Sequence, residues 1–280
     1  MTTLLFASMR DTLLELLGDE AYLGATPGIM APLHTWSQTL SLHPHLHALV
    51  TGGGLTSTGQ WVAVRHGFLL PSRVAMAVFR GTLCAAIRRA VRQGQLQLPE
   101  GLRPQPCENL LNKLGRQKWN VHIRERSPHG EGVLIYLARY VRGGPLANQR
   151  LVSCAQGEVR FRYRVNGEGA ARPRCGLLTL SIAEFIRRSL LHVPPPGSRV
   201  VRSYGLYAPT ACGALAACRE QLGQGAVEAP PSLDWQTACS QQGVAHPERC
   251  PVCAQRLVCR GMIPPLRLAP LARAPAAVAA

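Results

Sequence analysis

Histidine recurs at every second position in His43-Pro44-His45-Leu46-His47, and no other stretch of the chain is so plainly suited to chemistry. In an extended chain alternate side chains share a face, so His45 and His47 project together while Leu46 turns toward the core behind them. Two imidazoles spaced about 6–7 Å along a strand can ligate one divalent ion. A pair is too few for a closed structural zinc site. It suits a loosely held ion with positions open to a phosphate oxygen. His43 extends the same face, although Pro44 interrupts it, and His34 or Gln38 on the preceding segment are the other candidates for a third ligand. The sequence leaves that choice open.

Tyr136 and Tyr140 form a second pattern, one helical turn apart and therefore on one face. A phenol, with a pKa near 10, attacks only an acceptor made more electrophilic, such as a phosphate polarised by a metal ion. The product is a phosphotyrosine, which conserves the energy of the cut bond for rejoining, and a second tyrosine could take the next strand. Taken alone, two aromatics at this spacing read as core packing; the histidine strand turns the reading toward nucleophiles. Arg139 points off the tyrosine face toward a DNA backbone contact, and Arg142 follows the helix in a better place for a phosphate. Lys113, with Asn109 and Asn112, is a further candidate contact.

The charge balance fits a polyanionic partner. Lys and Arg number 31 against 15 Asp and Glu, a formal net charge of +16, and Lys113 and Lys118 are the only lysines. Arginine makes forked contacts with phosphate. GC-rich coding would favour Arg over Lys but would not create the excess of positive charge. No segment approaches the ~18 consecutive apolar residues of a membrane span. The acidic residues Asp11, Glu15, Asp19 and Glu20 in the first segment argue against a signal peptide. The scattered cysteines 84, 107, 154, 175, 212 and 218 then read as reduced, mostly buried thiols.

The elements that must position these residues are legible from periodicity. Leu4, Leu5, Met9, Leu13, Leu14 and Leu17 keep a helical rhythm over residues 3–18. A strand pair is expected at Ile29–Leu40 and Leu42–Val50, closed by a Gly52-Gly53-Gly54 turn, with Trp61–Val64 continuing the sheet. A basic amphipathic helix runs from Pro71 to Gln93, followed by a Pro-rich loop over residues 99–108. Next come a short helix Glu108–Leu114, a strand Trp119–Ile123, a turn at Ser127–Gly132 and the tyrosine helix Glu131–Val141, stopped before Pro145. Residues 158–165 alternate cleanly, with Val159, Phe161, Tyr163 and Val165 on one face and Arg160, Arg162 and Arg164 on the other. Gly176–Leu180 completes a hairpin, and Ser181 with Glu184 makes a capping box for a helix to about His192. Pro194–Gly197 is expected to close the compact part. Helices packed on an antiparallel sheet make an α+β plan.

Beyond residue 225 the chain turns to Pro, Ala, Gln and Cys, and 264–280 is expected to be disordered. Cys250 and Cys253 have the spacing of half a structural zinc (Zn²⁺) site, with Cys239, His246 and Cys259 near enough in sequence to complete it. Trp61 and Trp119 could stack on bases.

Together, the H-x-H histidines followed by Y-x-x-x-Y resemble the two-tyrosine HUH endonucleases, and within them the rolling-circle transposases of bacterial insertion sequences. The segments HTWSQTLSLHPHLHALVTGGGL, YLARYVRGGPL and EFIRRSLLHVPPPGSRVVRSYGLYAP look like those of members, in the same order, so the resemblance covers roughly residues 25–210. It implies a ferredoxin-like palm whose central strand holds His45 and His47, bound Mg²⁺ or Mn²⁺, and Tyr136 and Tyr140 as nucleophiles across a groove for single-stranded DNA at element ends and target. Cleavage would leave a 5′-phosphotyrosine and a free 3′-OH, in a bacterial cytoplasm at the nucleoid. Replication initiators and plasmid relaxases use similar chemistry, and only the flanking segments set them apart. The expected division is a catalytic domain over 1–200, a helical region over 201–263 and the tail. Members begin with a Cys-rich zinc-binding domain that is not seen ahead of the first helix here, so a shortened copy is expected. A DNA-binding remnant without turnover is the contrasting expectation.

Overall fold

The computed structural model describes residues 1–67, 69–101, 103–124, 132–133, 135–137, 144–165, 174–225, 231–241, 248–250, 253–258 and 261. These fall into two compact units, Met1–Ala226 and Val227–Ala280.

In the first unit, α1 (Thr2–Gly18) and α2 (Ser72–Arg92) pack against each other and on one face of an antiparallel sheet. The sheet is built around β1 (Thr26–Trp36), which pairs with β2 (Leu42–Leu46) and β3 (Leu49–Leu55). It also pairs with β8 (Val201–Gly205), and β4 (Trp61–Ala63) lies outside β3. β2 and β3 act as one ribbon. Leu46 lies opposite Leu33 and Leu49 opposite Met30, so one register holds on both sides of the break. The His47 amide donates to the Pro32 carbonyl, but Pro32 has no N–H to return the bond, and the ladder lapses at His47 and Ala48. Period-two alternation then sorts the faces. Ile29, Ala31, Leu33 and Leu46 join Phe6, Met9, Leu13 and Phe79 in the core beneath the helices. His34, His45 and His47 point the other way.

The expected Gly52–Gly54 turn is instead the interior of β3, and closeness explains the glycines. A Cβ on Gly54 would stand 2.6 Å from the Thr26 carbonyl oxygen, and one on Gly53 would meet the Trp61 ring at 2.5 Å. Trp61 is thus half-buried sheet packing. Gly54→Ala is expected to cost about 1–3 kcal/mol by forcing β1 and β3 apart, read as a lower urea midpoint; an unchanged midpoint would show that the strands can yield.

Other expectations shift as well. α3 runs Pro104–Arg116, starting inside the expected loop because Pro104 suits the first helical position. Residues 119–123 form no strand; the Trp119 side chain instead packs on Phe79, its indole N–H bonded to the Leu114 carbonyl. Two of the arginines on α2 are engaged: Arg80 holds the Gln117 carbonyl, and Arg88 pairs with Glu108 and Asn112. Of the expected tyrosine helix, residues 132–133 and 135–137 are described and helical.

A second sheet joins β5 (Leu151–Ala155), β6 (Glu158–Val165) and β7 (Arg174–Ser181). Val159 and Phe161 are buried and the intervening arginines exposed, as the alternation predicts, though Val165 at the strand end is open. α4 (Ile182–Leu190) follows, its first turn capped by the Ser181 hydroxyl accepting from the Glu184 amide. Glu184 does not reach back to complete the box. Its carboxylate instead takes hydrogen bonds from Arg187 and Arg188, which hold its pKa down to about 2. Pro194–Gly197 does not close the compact part, because the chain returns to lay β8 against β1 and then forms α5 (Cys212–Gln221). The missed strand β8, Val-Arg-Ser-Tyr-Gly, is short and broken by polar residues, which hides its period. Of the six scattered cysteines, Cys84, Cys107 and Cys218 are buried, but Cys154, Cys175 and Cys212 are exposed.

The second unit holds α6 (Trp235–Gln241), opened by the Asp234 carboxylate accepting from the Thr237 amide and hydroxyl. The expected disordered tail, 264–280, lies outside the described residues. No helix among the described residues is long and apolar enough to cross a membrane.

Candidate functional site

Antiparallel pairing brings the third histidine to the first two. His34 on β1 lies directly opposite His45 on β2, and opposed residues share a face with their Cβ atoms about 4.5–5.5 Å apart. His47, two residues along the ribbon, joins them on that face. Ring centroids are 5.6 Å apart for His34 and His45, 4.6 Å for His34 and His47, and 5.0 Å for His45 and His47. One nitrogen from each of the three lies within 4.8 Å of the others, the only such group of potential ligands among the described residues.

The surroundings orient these imidazoles and favour the neutral form of His45 and His47. His34 is buried and stacked on Trp36 at 4.4 Å. His45 Nδ1 lies 2.7 Å from the His43 carbonyl, which can only accept, so Nδ1 carries the proton and Nε2 keeps its lone pair. That is the usual arrangement of a metal-binding histidine. Burial lowers the His45 pKa, and burial together with the neighbouring His34, His45 and Arg124 lowers that of His47 to about 4. His43 stands 5.1 Å from His45, on the exposed end of β2.

Tyr136 stands beside this group, its ring 6.4 Å from that of His47. Tyr140, Arg139 and Arg142 lie outside the described residues. Gln38 sits in the Ser37–Ser41 turn and lines the same cleft as His43 and His45, while His34 is the candidate brought among the imidazoles. Lys113 is exposed on α3, which packs on α2 rather than on the histidine strand. Cys250 and Cys253 belong to the second unit, and their expected partners His246 and Cys259 lie outside the described residues.

The histidine hairpin is held by groups the sequence reading missed. Three successive carbonyls of its turn are capped from the segments that flank the second sheet, Gln38 by Arg150 just before β5, Thr39 by Arg188 on α4 and Leu40 by His192 just after α4. His192, itself buried, also bonds the Thr35 hydroxyl next to His34. Leu40 adopts φ +60, uncommon for a branched side chain, and its side chain is fully buried against Val159, Phe161 and Leu180. No local pattern announces this clamp. Arg150, Arg188 and His192 are ordinary surface-type residues until the second sheet folds against the turn.

Residues 28–214 match the family model described as "Putative transposase". A protein of Sinorhizobium fredii (strain NBRC 101917 / NGR234), itself named as a putative transposase, is 39% identical over 81% of this chain and 58% of its own length. The transposase for insertion sequence element IS801 of Pseudomonas savastanoi pv. phaseolicola is 29% identical over 84% of this chain and 57% of its own length. The chain thus spans under three fifths of the length of these curated relatives. No solved structure matches it.

Proposed function

This chain belongs to the transposase family that the matched family model describes, and from that membership we propose that it nicks and rejoins single-stranded DNA through a covalent tyrosine intermediate. The observation that carries the reading is the cluster of His34, His45 and His47 with Tyr136 beside it. Three clustered imidazoles fit a divalent ion, and nitrogen donors suit Mn²⁺ better than the harder Mg²⁺. Such an ion would supply polarisation of the scissile phosphate.

In this reading the protein's own groups do the rest. His43 fixes the His45 tautomer through its carbonyl, and the clamp on residues 38–40 fixes the hairpin that carries His45 and His47. Tyr136 Oη forms a bond to phosphorus while the bond to the 3′-oxygen breaks. The phenolic proton ends, in net terms, on that oxygen. A 5′-phosphotyrosine and a free 3′-OH result. Rejoining is the reverse attack by a 3′-OH, which returns the proton to tyrosine. Tyr140 is proposed as the second nucleophile.

Incubation with a single-stranded oligonucleotide carrying an element end and Mn²⁺ is expected to give an SDS-resistant protein–DNA adduct, and EDTA to abolish it. Binding without any adduct would favour the non-catalytic remnant. An adduct formed equally well in EDTA would remove the metal from the mechanism.

A further inference from the structure

Beside the histidine cluster lies a cleft that the proposed chemistry does not use. It measures about 480 Å³ and is bounded by Trp36, the Ser37–Thr39 turn, His43 and His45 on one side, and by Tyr163, Arg164 and Val165 at the end of β6 on the other. Its two walls belong to different sheets, and the clamp made by Arg150, Arg188 and His192 ties them together. The cleft is therefore a built feature of the unit rather than a gap between loose parts.

Its chemistry is one-sided. Of the exposed arginines of β6, Arg164 lines the cleft, and no carboxylate forms an ion pair with Arg164 among the described residues. Arg150 lies near enough to Arg164 to feel its charge. Holding like charges together without a counter-ion costs free energy, and an anionic ligand would offset it. Tyr163 adds an aromatic ring: a Cβ on Gly176 would stand 2.5 Å from it, so the glycine lets the phenol lie across β7, and Tyr163 lines the cleft. Cations beside an aromatic plate are the usual equipment for single-stranded nucleic acid. The volume suits roughly one or two nucleotides.

We infer that this cleft seats the nucleotide next to the scissile phosphate, with its base on Tyr163 and its phosphate on Arg164, so that the small β5–β7 sheet is the strand-holding wall of the site. The inference rests on the proposed nicking of single-stranded DNA, since the cleft opens from His43 and His45 toward β6. A strand laid in it reaches the cluster from the His43 end, and Tyr136 stands at the His47 end. The scissile phosphate then falls between the two.

The test is fluorescence anisotropy with a short fluorescein-labelled single-stranded DNA in EDTA, where no cutting competes, at several salt concentrations. Tyr163→Ala is expected to weaken binding about tenfold while Tyr163→Phe restores it, because stacking needs the ring and not the hydroxyl. Arg164→Ala is expected to lower the slope of log affinity against log salt by ~0.7, one phosphate contact on a single strand. Arg73→Ala on α2, outside the cleft, leaves both unchanged. Wild-type affinity and slope in Tyr163→Ala and Arg164→Ala, with unchanged thermal unfolding, would overturn the inference. Equal dependence on these residues for a duplex of the same sequence would overturn the single-strand assignment. The adduct assay with Mn²⁺, run in parallel, keeps the two ideas apart. An adduct with insensitive cleft variants fails the cleft alone; no adduct with sensitive variants fails the nuclease reading and leaves the cleft as a strand-binding site without a scissile phosphate beside it.

Discussion

Replacing Tyr136 and Tyr140 together by phenylalanine is expected to reduce the SDS-resistant adduct on the order of 10³-fold or more, the scale of losing a covalent nucleophile. The change removes two hydroxyls and keeps both rings, so packing beside His47 and the fold should survive. Affinity for Mn²⁺ and for single-stranded DNA in EDTA should therefore stay at wild-type values. That combination separates a nucleophile from a packing residue, which would show its loss in thermal unfolding instead. Tyr136→Phe alone tests the residue whose ring lies 6.4 Å from that of His47, and it should reduce the adduct by about tenfold or more. An undiminished adduct in the double variant would place the nucleophile elsewhere.

His47→Ala is the second large effect. It removes one of three imidazoles whose nitrogens lie within 4.8 Å of one another. Loss of a ligand should exceed the 10–100-fold typical of losing a supporting group, so Mn²⁺ affinity should fall by about 10²-fold or more, and the adduct with it. Calorimetric titration with Mn²⁺ reads the first directly, and wild-type affinity in the variant would remove His47 from the centre. The pH dependence has a definite sign. Burial, with His34, His45 and Arg124 nearby, holds the His47 pKa at about 4, below the ~6.5 of a free histidine. Protons therefore compete with the metal only in acid: Mn²⁺ affinity should stay nearly level from neutral pH to below about 6 and fall as pH drops toward 4. The same shift means that His47 resists protonation in the folded chain. Its contribution to stability is full above ~6.5 and is lost as pH falls through about 4. A binding limb centred near 6.5 would show that the imidazole is not desolvated.

How much of this could be read along the chain depends on the range of the interactions involved. Alternation places His45 and His47 on one face and Leu46 behind them, and the structure keeps that arrangement. The same rule anticipates the buried Val159 and Phe161 against the exposed arginines of β6. The capping serine of α4 is equally local. Errors cluster where a residue's role is set by something distant. Gly53 and Gly54 look like a turn, but they are glycines because β4 and β1 approach them. Trp119–Ile123 has a strand's composition, yet no partner strand pairs with it among the described residues. The Val201–Gly205 strand exists because β1 offers it an edge.

The candidate site divides along the same line. Sequence by itself determined the residue types: a histidine ribbon of period two, a tyrosine pair of helical period, a cationic strand and a strong positive charge. All of these are properties of neighbours in the chain, and local backbone geometry suffices to sort them. It left His43, His34 and Gln38 open as candidates for the third ligand, because local spacing does not say which of them the fold brings to His45 and His47. Only the tertiary structure decided that His34 faces His45 across the hairpin, with Pro32 interrupting the ladder at His47. The second sheet packed over Leu40, with Arg150, Arg188 and His192 from its flanking segments bonded to the carbonyls of residues 38–40, holds that hairpin in place. The physical reason is that register and docking arise from long-range hydrogen bonds and shared burial. Those are set by the whole fold at once and leave no periodic trace in any one segment.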